Sequence, residues 1–280
     1  MNRDGQIVTF YSYKGGTGRT MALANVAWIL ASNGHRVLVV DWDLDSPGLH
    51  KFFHPFLDRE LFEATPGVID ILSDYARAAT YARERPPDWH RRYARVLPHA
   101  ISLTWSFPEG GALDILSAGQ SGARYSTAVA EFRWDNFYER LGGGIFLAAM
   151  REDMRANYDY TLIDSRTGIS DIAGICTVRF PDTVVDCFTL SDQAIEGAAS
   201  VAATIRRLRE GEPVRILPVP MRVEDGEQSK LENGRALAQL RFDGLPAGMS
   251  REQSRRYWGE VEIPYRSFYA YEETLATFGD

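Results

Sequence analysis

Seven consecutive residues, Lys14-Gly15-Gly16-Thr17-Gly18-Arg19-Thr20, bring two cations, two hydroxyls and three glycines into one short loop. Glycine reaches positive φ and carries no Cβ, so its backbone N–H can approach an oxygen closely. That composition favours the binding of a polyphosphate. Lys14 and Arg19 would offset the anion's charge, and the amides of 15–21, Met21 included, would donate to its oxygens. The Thr20 hydroxyl would serve a phosphate-bound Mg2+. Acidic residues with matching chemistry lie at the ends of two apolar runs. Asp164 closes Tyr160-Thr161-Leu162-Ile163, a position from which a carboxylate holds Mg2+ through water. Asp41 and Asp43 close Val37-Leu38-Val39-Val40, one residue apart and so on one side of an extended chain. Asp45 is a third candidate there, and the sequence does not separate the three.

These residues need a frame. Ile7-Val8-Thr9-Phe10-Tyr11 reads as a strand, and Met21 to Asn33 as a helix, so the glycine loop joins a strand to a helix N-terminus. Val37-Leu38-Val39-Val40 is continuously apolar, as a parallel strand covered on both faces must be. Further strands are expected at 113–116, 160–164, 183–190 and 214–219, with helices at 68–72, about 126–156 broken by Gly142-Gly143-Gly144, and about 194–209. Strands alternating with helices predict an α/β fold with a doubly wound, mostly parallel sheet and ligands at the carboxyl ends of its strands. Residues 81–98 read as an exposed, basic insertion. Phe268, Tyr271, Leu275 and Phe278 recur at spacings of three and four, which predicts a C-terminal helix near 266–279. The 280 residues are treated as one domain, 1–280.

Bulk properties narrow the function classes. The net charge is −7, which opposes a wholesale nucleic-acid binder but leaves room for local basic patches. No run of 18 apolar residues exists and the first residues carry no signal-peptide pattern, so no membrane association and a cytoplasmic location are expected. Cys176 and Cys187 are too few for a disulfide framework and lack a cluster motif. His50 and His54 share a spacing but no accompanying glutamate, so they read as surface residues.

Residues 14–20 resemble, at six of seven positions, the deviant Walker A loop Lys-Gly-Gly-x-Gly-Lys-Thr of the MinD/ParA family of dimerising P-loop ATPases. Leu23-Ala24-Asn25-Val26-Ala27 and the stretch Gly34 to Asp43 resemble the family's flanks, and 158–168 its switch II. The resemblance implies ATP and Mg2+ as ligands, with Thr20, Asp41 and Asp164 about the metal. It implies that Asp43 orients or deprotonates the attacking water, and that Lys14 crosses to a partner subunit's nucleotide in an ATP-dependent homodimer. Pro220-Met221-Arg222 fall where the family contacts the base from a loop after a late strand. Arg19 replaces the family's lysine, and a guanidinium binds oxygens as a fork rather than as a point charge. Nucleotide binding is expected to survive that exchange, its effect on the hydrolysis rate is left open, and slow ATP hydrolysis limited by dimerisation is expected.

Residues 9–20 with Leu49-His50-Lys51-Phe52-Phe53 further resemble the N-terminal NTPase module of bacterial regulators, including tetratricopeptide-repeat proteins of actinobacterial FxSxx-COOH systems. That likeness implies an effector, either a separate protein or a domain fused C-terminally. The function so read is a nucleotide-dependent dimerisation switch. The alternatives are a ParA-like DNA-positioning ATPase and a non-hydrolysing nucleotide-sensing scaffold. Two basic stretches, Arg83 to Arg95 and Arg251 to Arg256, carry interleaved aromatics suited to phosphate backbones, although nucleic acid is not the favoured partner. The sequence does not distinguish ATP from GTP.

Overall fold

The computed structural model describes residues 4–81, 86–120, 122–168, 174–212, 214–224 and 226–278. Strands β1 (Gln6–Tyr11), β2 (Arg36–Asp41), β3 (Ile101–Ser102), β4 (Ala112–Leu116), β5 (Tyr160–Asp164), β6 (Thr183–Phe188), β7 (Arg215–Val223) and β8 (Ile263–Pro264) form one sheet. Their order is β3-β4-β2-β5-β1-β6-β7-β8, parallel throughout except for the β3–β4 edge pair. Helices are α1 (Arg19–Ser32), α2 (Arg59–Ala64), α3 (Val68–Tyr81), α4 (Trp89–Tyr93), α5 (Ala123–Glu131), α6 (Trp134–Glu139), α7 (Gly143–Asn157), α8 (Asp192–Leu208), α9 (Gln228–Arg241) and α10 (Arg251–Glu260).

The alternation of side chains along each strand divides the core into two layers. Phe10, Val37, Val39 and Leu162 face Leu23, Ala24 and Ala27 of α1. Ile7, Leu38, Val40 and Ile163 face the opposite layer, with Leu72 of α3 and Met150 of α7. Val184 and Phe188 extend that second layer toward Ala194, Ile195 and Ala198 of α8. Both faces are covered, as the unbroken apolar strands require. The strand order reverses direction of growth about β1, and the β1–α1 connection lies at that switch point, where open parallel sheets bind ligands. Good helix formers fill α1, and it ends at Asn33 and Gly34, whose N–H groups return to the Ile29 and Ala31 carbonyls with Gly34 at φ 81°.

Two expectations are corrected here. The expected helix near 266–279 does not form over its described residues, 266–278: they hold two short 3-10 turns, Ser267–Ala270 and Ala276–Phe278. Its apolar residues do not share a face, since Leu275 is buried while Tyr271 is 87% exposed. The chain lies against α1 instead: the Ala276 N–H donates to Asn25 Oδ1 at 2.8 Å, and Phe278 meets Trp28 at 4.9 Å between ring centroids. The stretch 81–98 is not wholly exposed. Trp89 stacks on Tyr75 at 5.0 Å and 7°, and Ala94 and Val96 are buried. Arg83 and Arg85 lie outside the described residues.

Candidate functional site

The loop 14–20 leaves β1 and opens α1. Gly16 (φ 74°) and Gly18 (φ 88°) adopt left-handed backbone that a β-carbon disfavours, so these two positions require glycine. A Cβ at Gly15 or Gly16 would meet nothing within 4 Å, so the space facing the loop is open. That space is part of a cavity of about 1100 Å3 lined by residues 15–22, Ser12, Asp43, Asp45, Arg166 and Met221. The volume exceeds the few hundred to about 1,000 Å3 usual for small-molecule sites. The amides at the start of α1 point the positive end of its dipole at whatever anion enters.

Arg19 does not extend into open solvent. It is 6% exposed, and its Nε donates to Asp164 Oδ1 at 2.6 Å while Nη2 donates to Asp43 Oδ2 at 3.1 Å. A longer contact of 3.5 Å joins Nη1 to Ser12 Oγ. Burial opposes the guanidinium's charge, but Asp164 and Asp43 outweigh that cost and hold its pKa above the ordinary arginine value. The Thr20 hydroxyl donates to the second Asp164 oxygen at 2.7 Å. Arg19, Asp43 and Asp164, all buried, and the half-buried Thr20 thus form one connected group.

Asp41 stands apart from that group in its bonding. Its Oδ2 accepts from the Gly48 and Leu49 N–H groups at 3.0 and 3.1 Å, and its Oδ1 from the Asp43 N–H at 3.3 Å. It staples the loop that follows β2. Burial above all, then the nearby Asp164 carboxylate, pushes Asp41 up to about 8 against the pull of those amides. Asp45 pairs with Arg166 at 2.6 Å, which ties the β2 loop to the segment after β5.

Lys14 lies outside the cavity lining, and its ammonium donates to Gln193 at the start of α8. It makes no ion pair among the described residues, unlike Arg19 and Arg166. Met21 and Met221 line the cavity; Met221 Cε lies 3.6 Å from where a Cβ on Gly18 would be. Pro220, Met221 and Arg222 belong to β7 itself rather than to a loop after it, and Pro220 is buried against β6 outside the cavity. Arg222 takes φ 54°, uncommon for a non-glycine residue. Its Nη1 donates to the Gly16 carbonyl at 2.8 Å, and its guanidinium lies 4.7 Å from the Tyr265 ring centroid.

Sequence reasoning missed that wall of the site. Tyr265, Arg266, Tyr269, Glu272 and Glu273 line the cavity opposite the loop. They arrive through the pairing of Met221 with Ile263 in β7–β8, for which no local sequence pattern exists. Gln193, at the start of α8, was missed because its contact with Lys14 spans 179 positions of sequence.

The chemistry of these groups suits a divalent cation held jointly with phosphate. Among the described residues no three His, Cys, Asp or Glu side chains form a metal cage. Mg2+ rarely uses one, taking one or two carboxylates, water and substrate phosphate oxygens instead. The Thr20 hydroxyl keeps its lone pairs while donating to Asp164, so this pair fits. The two cysteines are buried and their thiols are raised by burial, which leaves them inert. No described helix is long and apolar enough to cross a membrane.

A glycine loop between β1 and α1, at the switch point of a parallel sheet and backed by a strand-end carboxylate, defines the mononucleotide-binding α/β class. Within it, the chain belongs to the CobQ/CobB/MinD/ParA nucleotide-binding domain family, whose model matches residues 8–246. Its structure resembles that of Cyanothece McdA in complex with ATP, at TM-score 0.60 and 15% identity over 92% of this chain and 89% of that one. It resembles Pyrococcus horikoshii OT3 MinD complexed with Mg-ADP at 0.54 and 18%, over 83% and 77%. The structure of pNOB8 ParA bound to nonspecific DNA matches at 0.54 and 15%, over 94% and 85%. A stretch of 71 residues is 32% identical to the cytosolic Fe-S cluster assembly factor CFD1 of Yarrowia lipolytica (strain CLIB 122 / E 150). That match spans 25% of this chain and about a quarter, 24%, of the relative's length.

Proposed function

We propose that the chain is an ATP-driven dimerisation switch. ATP binds across residues 14–20, two copies pair while it is bound, and slow hydrolysis to ADP and phosphate releases them to an effector. The observation that carries this reading is the placement of the two cations. Arg19 is committed to the buried carboxylates, whereas Lys14 lies outside the cavity and, among the described residues, has only the neutral Gln193 as partner. A cation so placed is available to a nucleotide held by a second copy.

Thr20 and Asp164 would hold Mg2+, which neutralises charge on the transferred phosphoryl group. Asp43 would orient the attacking water, with the loop amides and Lys14 steadying the phosphates. The base would lie on the side of Met221, Arg222 and Tyr265. Sedimentation of the protein with ADP, ATP and a slowly hydrolysed analogue tests the switch. A monomer–dimer shift is expected only with triphosphate, lost in Lys14→Ala and prolonged in Asp43→Ala. An oligomer indifferent to nucleotide would refute it.

A second reading, a DNA-positioning ATPase, has one supporting observation. Arg251 and Arg255 of α10 have no acidic partner among the described residues, while Arg256 pairs with Glu260 at 3.1 Å. ATP-dependent retardation of nonspecific duplex DNA that vanishes with added salt would select it.

A further inference from the structure

The side chain of Arg19 carries information that its place in the loop does not. A residue that opens the helix behind a phosphate loop would be expected to address the anion. This one turns inward and uses two different nitrogens on two different carboxylates, Asp164 at 2.6 Å and Asp43 at 3.1 Å. Both acids are buried, at 2% and 9% exposure, and each would be strongly destabilised without a counter-charge. The planar fork of a guanidinium can bridge them; a lysine ammonium on its flexible stem has no such geometry. Each Asp164 oxygen then already accepts one hydrogen bond, from Arg19 on one and the Thr20 hydroxyl on the other.

We propose that Arg19 is a stand-in cation: its guanidinium neutralises Asp164 and Asp43 while the site is free of nucleotide and must leave them for a divalent metal to enter with its nucleotide. The inference rests on the nucleotide-binding reading above and adds the regulation of that site. The Thr20–Asp164 hydrogen bond survives the exchange, because a hydroxyl can donate to the acid while offering a lone pair to a metal. The Arg19 Nε–Asp164 contact does not survive it. One charge of +1 is traded for one of +2, and the freed guanidinium becomes available to the incoming phosphates. Arg19 is therefore a positioning residue that sets how much metal the site demands, and the loop binds metal-free nucleotide poorly because its nearest cation is already engaged.

The test follows fluorescent mant-ADP binding as Mg2+ is raised, which avoids hydrolysis and triphosphate-driven pairing. Wild type is expected to show weak binding in EDTA and a distinct Mg2+ midpoint. Arg19→Lys, which loses the bridging fork, and Asp43→Asn, which removes one arm of the latch, should each lower that midpoint by about tenfold, the loss of one charge-assisted hydrogen bond. A residue with a merely structural role would change affinity or folding without moving the midpoint. Midpoints equal to wild type in both variants overturn the proposal.

A second arm uses Mn2+ alone, followed by water-proton relaxation without any nucleotide. Arg19→Gln should bind Mn2+ at least tenfold more tightly than wild type. Equal Mn2+ binding by the two proteins overturns the latch even where nucleotide binds. Absence of mant-ADP binding at any Mg2+ concentration, with Arg19→Gln still gaining Mn2+ affinity, would leave the latch standing and remove the nucleotide reading instead.

Discussion

Two buried acids on neighbouring parts of the same sheet meet opposite fates. Asp164, at the end of β5, is satisfied on both oxygens by Arg19 and Thr20. Asp186, on β6, is 1% exposed and neither carboxyl oxygen has a hydrogen-bond partner among the described residues. Burial alone drives its pKa well above the ordinary aspartate range. The first faces the α1 layer at the ligand-binding end of the sheet, and the second faces the Tyr11, Val184 and Phe188 layer under α8. Burial raises the pKa of Asp164 as well, but there Arg19 and Thr20 pull against the shift, whereas at Asp186 burial is the cause and the acid is held neutral at a cost to stability.

The largest effect is expected from breaking the paired region. Arg19→Met strands two buried carboxylates and should cost about 3–5 kcal/mol of unfolding free energy by urea denaturation. Restoring part of that loss in the double variant Arg19→Met/Asp43→Asn would show that the charges, and not the packing of the arginine stem, are responsible.

The unpaired region should respond with the opposite sign. A folded-state pKa raised above the unfolded value means that native Asp186 binds more protons than the unfolded chain above pH ~4. Stability held below the unfolded pKa is then lost as pH rises through the folded one. Asp186→Asn has no such titration, so its advantage over wild type should grow between pH 5 and pH 8, by up to about 1.4 kcal/mol per pH unit. A difference that is flat with pH, or that shrinks toward pH 8, would contradict the assignment of Asp186 as a buried neutral acid.

A smaller effect on stability belongs to the base-side wall. Leu275 is buried against the α1 layer and anchors the segment that carries Tyr265 and Tyr269 past the cavity. Leu275→Ala should cost about 2 kcal/mol, at the low end for a buried leucine. It should also weaken nucleotide binding severalfold by loosening that wall. Tyr265→Ala should leave stability within about 0.5–1 kcal/mol of wild type, since it removes a partly exposed cation–π contact with Arg222. Its effect would appear in nucleotide affinity.

The glycine loop was legible because it is contiguous. Strand, glycine loop and helix N-terminus are adjacent in sequence, so composition and order alone placed residues 14–20 and oriented them. Asp164 was legible because a strand-end carboxylate is marked by the apolar run before it. The direction of Arg19 was not, because its partners come from β5 and from the β2 loop, and a side chain's choice between phosphate and carboxylate depends on that distant geometry. The bonding of Asp41 was hidden for a related reason: Asp-x-Asp spacing says that two acids share a side of a strand, but not that one of them caps the backbone of residues 48 and 49. The base-side wall was illegible because β8 is two residues long and its pairing with β7 leaves no periodic signal. There the three-and-four spacing of 268–278 was a coincidence of residues that meet different surroundings.

Calorimetric titration of ATP in Mg2+, with Gly18→Val as the comparison, tests the central claim most directly. Valine resists the φ of 88° that this position holds, so it distorts the loop at the mouth of α1 while leaving Arg19, Asp43 and Asp164 unchanged in type. The account expects one ATP per chain for wild type and a loss of at least about a hundredfold in affinity for a folded Gly18→Val. Equal affinity in the two proteins would mean that the glycine loop is not what holds the nucleotide.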